Sequence, residues 1–162
     1  RLKALINETD RGAQLAKALL LQGFQYASAI IPEVADSGKP VDDAIRWGFG
    51  HDAGPFEIWD KLGVRETVNL MKVEGFPPAG WVDQMLADGN EQFYEYKSGQ
   101  KISIYDVSRR RYEPINRTKG IVLLKDQQVI SQNAGATLYD LGDGVAGVGF
   151  FTKKKTLFDY IF

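Results

Sequence analysis

The side chains with the most chemical potential crowd into one stretch, Trp47-Gly48-Phe49-Gly50-His51-Asp52-Ala53-Gly54-Pro55-Phe56-Glu57-Ile58-Trp59-Asp60. Gly48, Gly50 and Gly54 together suggest a loop whose backbone N–H groups cradle a phosphate. That chemistry needs a buried strand ahead of the loop and G-x-G-x-x-G spacing. Here an amphipathic helical pattern precedes it, and the third glycine falls one position late. The same residues also suit a tight helix–loop–helix connection. Glycine allows positive φ and close backbone approach, and Trp47, Phe49, Phe56 and Trp59 supply the packing. On that reading Trp47, Phe56 and Trp59 are largely buried.

His51 is the sole histidine. Its ordinary pKa suits a general base, but a base needs a nucleophile or substrate proton within reach. No nucleophile signature lies nearby, so an exposed loop histidine, or one bonded to Asp52, is the expectation. Asp42 with Asp43, or Asp52, Glu57 and Asp60, suggest an acid–base pair or a magnesium site. Hard cations need several converging oxygens, whereas adjacent carboxylates in a first helical turn serve the helix dipole on a solvated face. Arg109, Arg110 and Arg111, with Lys97, Lys101, Arg117 and Lys119, form a basic region able to meet coenzyme A phosphates or an acidic partner. A short basic run on a hairpin also guards a strand edge against pairing. No residue is assigned a catalytic, cofactor-binding or metal-binding role on these grounds.

Composition narrows the chemistry further. The 162 residues suffice for one domain of ordinary size, or one and a fragment. Cysteine is absent, which removes disulfides, thiol nucleophiles and Cys-ligated zinc, and one histidine removes multi-histidine metal sites. A net charge of −1 gives no field for nucleic acid or a membrane surface. The most apolar stretch, from Ala18 to Ile31, is interrupted by Gln22, Gln25 and Ser28 and is too short to span a bilayer. The expectation is a soluble, cytoplasmic piece of a longer chain.

Apolar spacing predicts the elements that position these groups. A long helix is expected from about Arg11 to about Ala35, capped by Thr9 or Asp10 and kinked or broken at Pro32, with Gly38 and Pro40 ending the segment. Shorter helices are expected at about Val41–Trp47, from Pro55 to Gly63, at about Arg65–Glu74 and at about Ala79–Asp88, with a helical turn over Asn90–Tyr96. Then the period changes to two. Ile102 and Ile104 alternate with polar residues, and Arg110–Ile115 returns as a second strand. A linker over 114–128 holds one apolar run, Ile121–Leu124. Ala136–Leu141 and Val145–Phe151 flank Gly142-Asp143-Gly144, a strong hairpin signal. The fold class expected is mainly α, with a helical domain over 1–113, the linker over 114–128, and a β-hairpin unit over 129–162.

The order W-G-F-G, G-P-F-E, W-D and L-G in residues 47–63 resembles the C-terminal helical domain of the 3-hydroxyacyl-CoA dehydrogenases. Ile31-Pro32-Glu33, Val41-Asp42-Asp43-Ala44, Trp81-Val82 with Met85-Leu86, Phe93-Tyr94 and Ile104-Tyr105-Asp106 extend the likeness. The match is to the second copy of that domain in bacterial fusion enzymes. Leu141-Gly142-Asp143-Gly144-Val145-Ala146 is similar to the opening hairpin of a crotonase-type enoyl-CoA hydratase, although Lys153-Lys154-Lys155-Thr156 departs from the K-M-N-A that usually follows.

The resemblance implies a parent enzyme of fatty-acid β-oxidation that uses NAD and an acyl-CoA substrate. It implies neighbouring nucleotide-binding and hydratase domains, and a homo-oligomer as a further option. It maps no catalytic residue here, leaving Trp47, Gly48, Phe49, Gly50, Gly54, Pro55, Phe56, Trp59 and Asp60 as a structural motif. The alternative is a non-catalytic interaction module.

Overall fold

A computed structural model describes residues 2–6, 8–97, 100–115, 122, 124 and 127–151. The chain divides into two compact units, Arg1–Ile115 and Asn116–Phe162. Six helices and six strands are present among the described residues, the strands forming two three-stranded antiparallel sheets. The fold is therefore mixed α and β, a correction to the mainly α expectation. The difference lies in two short strands at the start of the sheets: Tyr94–Lys97, whose four residues fall within the helical turn expected over 90–96, and Gln128–Gln132, whose five residues straddle the expected linker boundary at 128.

In the first unit, α1 (Leu2–Leu5) precedes α2 (Arg11–Ala29). The Asp10 carboxylate caps α2, accepting from the Gly12 and Ala13 amides at 2.9 and 3.2 Å. The helix stops at Ala29, well short of residue 35. Pro32 has no N–H to offer the Ser28 carbonyl, and residues 30–33 form turns instead. Gly38 and Pro40 do not end that segment. They lie in the first turn of α3 (Gly38–Phe49), where a proline's missing donor costs nothing. Helices α4 (Pro55–Leu62), α5 (Val64–Val73) and α6 (Gly80–Ala87) follow. The helical turn expected over 90–96 is absent: residues 90–93 are irregular and β1 (Tyr94–Lys97) begins after them. This strand pairs with β2 (Gln100–Asp106), which pairs with β3 (Arg111–Pro114).

One core joins helices and sheet. Phe24 stacks on Trp59 at 4.8 Å between centroids, and Phe93 meets Phe56 edge-on at 4.9 Å and Trp59 at 5.1 Å. Leu21, Val64, Met71, Val82 and Met85 close around them, fully buried. The Trp81 indole donates to the Ser28 carbonyl at 2.9 Å, and the Ser28 hydroxyl accepts from the Ala79 amide at 3.0 Å, which fixes the entry of α6 against α2.

The second unit holds β4 (Gln128–Gln132), β5 (Ala136–Gly142) and β6 (Val145–Phe150), in that order. Gly142, Asp143 and Gly144 all take positive φ at the β5–β6 turn. Arg117, Lys119, Ile121 and the segment 152–162, with its three lysines and terminal aromatics, lie outside the described residues.

Candidate functional site

The glycine-rich stretch builds its geometry around Asp42. The residue stands on the buried side of α3 and its carboxylate reaches the start of α4. It accepts from the Phe56 amide at 2.9 Å and the Glu57 amide at 3.2 Å. Pro55 has no amide hydrogen, and the Ile58 amide is taken by the Gly54 carbonyl at 3.0 Å. Glu57 in turn accepts from the Gly54 amide at 2.7 Å. The N-terminus of α4 thus has its donors satisfied from within. A Cβ on Gly54 would stand 2.5 Å from the Asp42 Cβ and closer still to its Cα, so the contact requires glycine.

This arrangement also decides the phosphate question. The loop sits between two helices, and a carboxylate of the chain itself fills the place an anion would take. These residues do not fit a dinucleotide.

Asp42 also accepts from the Tyr94 hydroxyl at 2.6 Å, and the Tyr94 and Phe93 amides donate to Asp60 on α4 at 3.0 and 2.7 Å. Two carboxylates therefore tie α3, α4 and β1 together. The expectation that Asp42 lies on a solvated face is corrected: it is fully buried. Helical spacing alone placed it beside Asp43, which faces Lys39 and Arg46 at the surface side. Burial pushes Asp42 up to about 6, against the hydrogen bonds from Tyr94 and Phe56 and the Lys101 charge, which pull it down. Burial likewise raises Asp60 to about 7, opposed by the hydrogen bonds from the Phe93 and Tyr94 amides. Tyr94 is raised above its ordinary value by burial first and by the Asp42 charge second.

A Tyr–Asp pair with perturbed ionisation invites a catalytic reading. Both side chains have no exposure, so no substrate atom can reach them. Their role is structural. Glu57 ion-pairs with Lys101 from β2, which also lies over the Tyr94 ring at 4.0 Å, and Arg46 of α3 approaches Glu57 at 3.6 Å. Among the described residues no cluster of His, Cys, Asp and Glu has the form of a metal site.

The remaining motif residues part company. Phe56 and Trp59 are wholly buried, whereas Trp47 and Phe49 are exposed, a correction for Trp47. On α3 the inward stripe runs Gly38, Asp42, Ile45 and Arg46, and Trp47 follows the outward stripe of Pro40 and Ala44. His51 is exposed in the loop after α3, its ring edge-on to Phe49 at 6.3 Å. The basic run is neutralised internally: Arg109 pairs with Asp106 at 2.8 Å, Arg110 with Asp88 at 2.7 Å and Arg111 with Glu113 at 2.8 Å.

The feature that sequence reasoning missed is a groove of about 550 Å³ between α2 and α3, floored by Pro55 and Ile58 of α4. Leu19, Gly23, Ile30, Val34, Val41 and Ile45 line it, with His51 at its edge. Its signal was in the sequence, since Leu19, Gly23, Tyr26 and Ile30 recur at helical spacing, but that stripe reads equally as core.

No family model matches the chain. It is 34% identical over 161 residues, 97% of its length, to a probable 3-hydroxyacyl-CoA dehydrogenase of Bacillus subtilis. It is 28% identical over 103 residues, 54% of its length, to a probable 3-hydroxyacyl-CoA dehydrogenase of Caenorhabditis elegans. The chain spans 20% of the Bacillus protein and 34% of the nematode one. The chain is thus related to proteins named as 3-hydroxyacyl-CoA dehydrogenases.

Proposed function

We propose that this chain is a non-catalytic segment of a cytoplasmic enzyme of fatty-acid β-oxidation, one that oxidises 3-hydroxyacyl-CoA with NAD. Residues 1–113 form its C-terminal-type helical domain, supporting the substrate cleft and providing contacts for the neighbouring nucleotide-binding domain. Residues 129–162 open a hydratase-type domain, so that the parent also hydrates enoyl-CoA. The observation that carries this reading is the 34% identity to the Bacillus protein across 97% of the chain.

The interior of the first unit supports the non-catalytic part. Its buried carboxylates, Asp42, Glu57, Asp60 and Asp106, are each engaged by donors of the chain itself, and the loop able to suggest a phosphate site is closed by Asp42. On this reading NAD is bound by another domain of the parent. A purely structural interaction module, in a parent of different activity, is the second reading, and the exposed apolar groove favours it.

The test is NADH formation from a 3-hydroxyacyl-CoA by the full-length parent and by the 162-residue chain alone. Activity in the parent and none in the isolated chain is expected. No activity in the parent overturns the enzyme reading. Turnover by the isolated chain, abolished by His51→Ala, overturns the non-catalytic one.

A further inference from the structure

Helix α3 is attached to the first unit differently from its neighbours. Its fully buried residues are Gly38 and Asp42, so it buries no large apolar side chain completely. By contrast α4 buries Phe56, Trp59 and Leu62, and α5 buries Val64, Val68 and Met71. Val41 packs against the core only in part, and Val41, Ala44 and Ile45 face the open groove. The close approach at Gly54 brings backbone to backbone and removes little apolar surface from water. What fixes the middle of α3 is therefore the Asp42 carboxylate, held by the Phe56 and Glu57 amides and the Tyr94 hydroxyl.

The start of α3 is tied separately. The Val107 amide donates to the Asp36 carbonyl at 2.9 Å, and Ser37 pairs with Asp106 in an isolated antiparallel bridge. Past Gly50 the chain runs through exposed His51 and Asp52. Elements with few buried apolar contacts open locally before the body of a domain does. Pinned at one end and held in the middle by one side chain, α3 is such an element.

The charges around Asp42 make that contact sensitive to protons. Lys101 of β2 and Arg46 of α3 both turn to Glu57, and Lys39 turns to Asp43. Asp43 on α3 and Asp60 on α4 add like charge. From β1 come Tyr94 and Tyr96, while Glu95 bonds Ser103. The part of α2 beyond Lys17 brings no charge, and Lys17 itself pairs with Glu74. Burial outweighs the hydrogen bonds and the Lys101 charge, so Asp42 is raised to about 6 while α3 is docked. Lifting α3 returns it to water and to an ordinary 3.8. The docked helix therefore keeps a proton that the lifted helix releases, and docking weakens as pH rises from 3.8 to about 6.

We propose that α3 is a movable wall of the groove, hinged at Ser37 and latched by Asp42, which swings away from α4 and β1 while the rest of the unit stays folded, and does so more at neutral pH than in acid. The swing carries Val41, Ala44 and Ile45 away from Leu19, Gly23 and Ile30 of α2, so the latch sets how wide the groove stands. It asks nothing of the parent's chemistry and stands or falls separately from the dehydrogenase reading.

Native-state hydrogen exchange on the 162-residue chain tests it, read as protection factors under EX2 conditions from pH 4.5 to 7.5. Amides of residues 43–48 should be about tenfold or more less protected than those in the middle of α5. Their protection should fall about 25-fold across that range, as a carboxyl passing from about 6 to 3.8 on opening requires. Asp42→Asn should flatten the fall, whereas Asp60→Asn, which leaves the α3 carboxyl in place, should keep it. Tyr94→Phe removes a hydrogen bond that holds Asp42 down, so in that variant the fall should extend to higher pH. Equal protection of α3 and α5 overturns the proposal, since α3 would then open only with the whole unit. So does α3 protection that stays constant or rises with pH, or a fall that survives in Asp42→Asn. A Tyr94→Phe profile that does not move overturns it even where Asp42→Asn fails to fold.

Discussion

Gly54 and Asp42 touch backbone to backbone: the α-carbon that opens α4 sits where any Cβ would run into Asp42. Its φ of −87° is open to every residue, so the requirement for glycine is one of space alone. Gly54→Ala must push α3 and α4 apart. It should cost about 1–3 kcal/mol, the range for overpacking a close-packed interior. Urea titration of the variant checks this, and a cost near zero would mean that the two helices shift freely.

Asp42→Ala should cost about 2–4 kcal/mol. It strips the cap from α4 and leaves the Tyr94 hydroxyl and two amides without their acceptor. Pairing it with Tyr94→Phe in a double-mutant cycle should show strong coupling, because the two changes remove one shared hydrogen bond.

Phe56→Ala should cost about 3–5 kcal/mol, as large aromatic truncations in cores do. The ring lies against Gly38, where a Cβ would stand 2.6 Å from its atoms, and against the Phe93 and Trp81 rings. Trp47→Ala, by contrast, should leave the melting temperature of the monomer nearly unchanged, since that ring is exposed.

Acidity offers a further check. Asp60 is raised from an ordinary 3.8 to about 7 in the folded chain, so between those values the folded state holds a proton that the unfolded state has released. Its contribution to stability is complete below about pH 4 and fades as pH rises through 7. Asp42 acts in the same direction over a narrower window, ending near 6. The difference in unfolding free energy between the wild type and Asp60→Asn should therefore be larger at pH 4.5 than at pH 7.5. The opposite slope would mean that the Phe93 and Tyr94 amides outweigh burial.

The second unit should show its small size in hydrogen exchange. Its three strands carry exposed Val129, Ile130, Val145 and Val148, and three-stranded sheets lie near the lower limit of independent stability. Amides of residues 136–150 should exchange faster than those in the middle of α2. Equal protection in both regions would show that the second unit shares the stability of the first.

Much of the helical architecture was legible in residue spacing. The proline at the start of α4, the glycine at its end and the Asp10 cap of α2 mark their boundaries locally. The tight approach of α3 and α4 was legible in the glycines. The inward turn of Asp42 was not, because its partners Phe56, Glu57 and Tyr94 are distant in sequence and a carboxylate's burial depends on donors brought from elsewhere. Strand β1 is hidden for a related reason: its Tyr-Glu-Tyr-Lys alternation runs for only four residues, too few to tell a strand from a helical turn, and only Tyr94 is buried. Trp47 was misplaced because aromatic type says nothing about which side of a helix faces inward.

The change from helical to alternating pattern near residue 100 looks like a natural place to cut the chain into separable parts. The bonds from Asp42 and Asp60 to Phe93 and Tyr94 make it a poor one. A fragment ending before Phe93 would keep its six helices and lose what neutralises the polarity of their interior. It would also open the aromatic cluster on the side that Phe93 closes. The smallest self-sufficient portion of the molecule therefore includes β1 to β3. Partial proteolysis should spare residues 11–114 as a single block, not release a helical bundle. The seam between helices and strands, prominent in the residue pattern, is not a seam in the folded body.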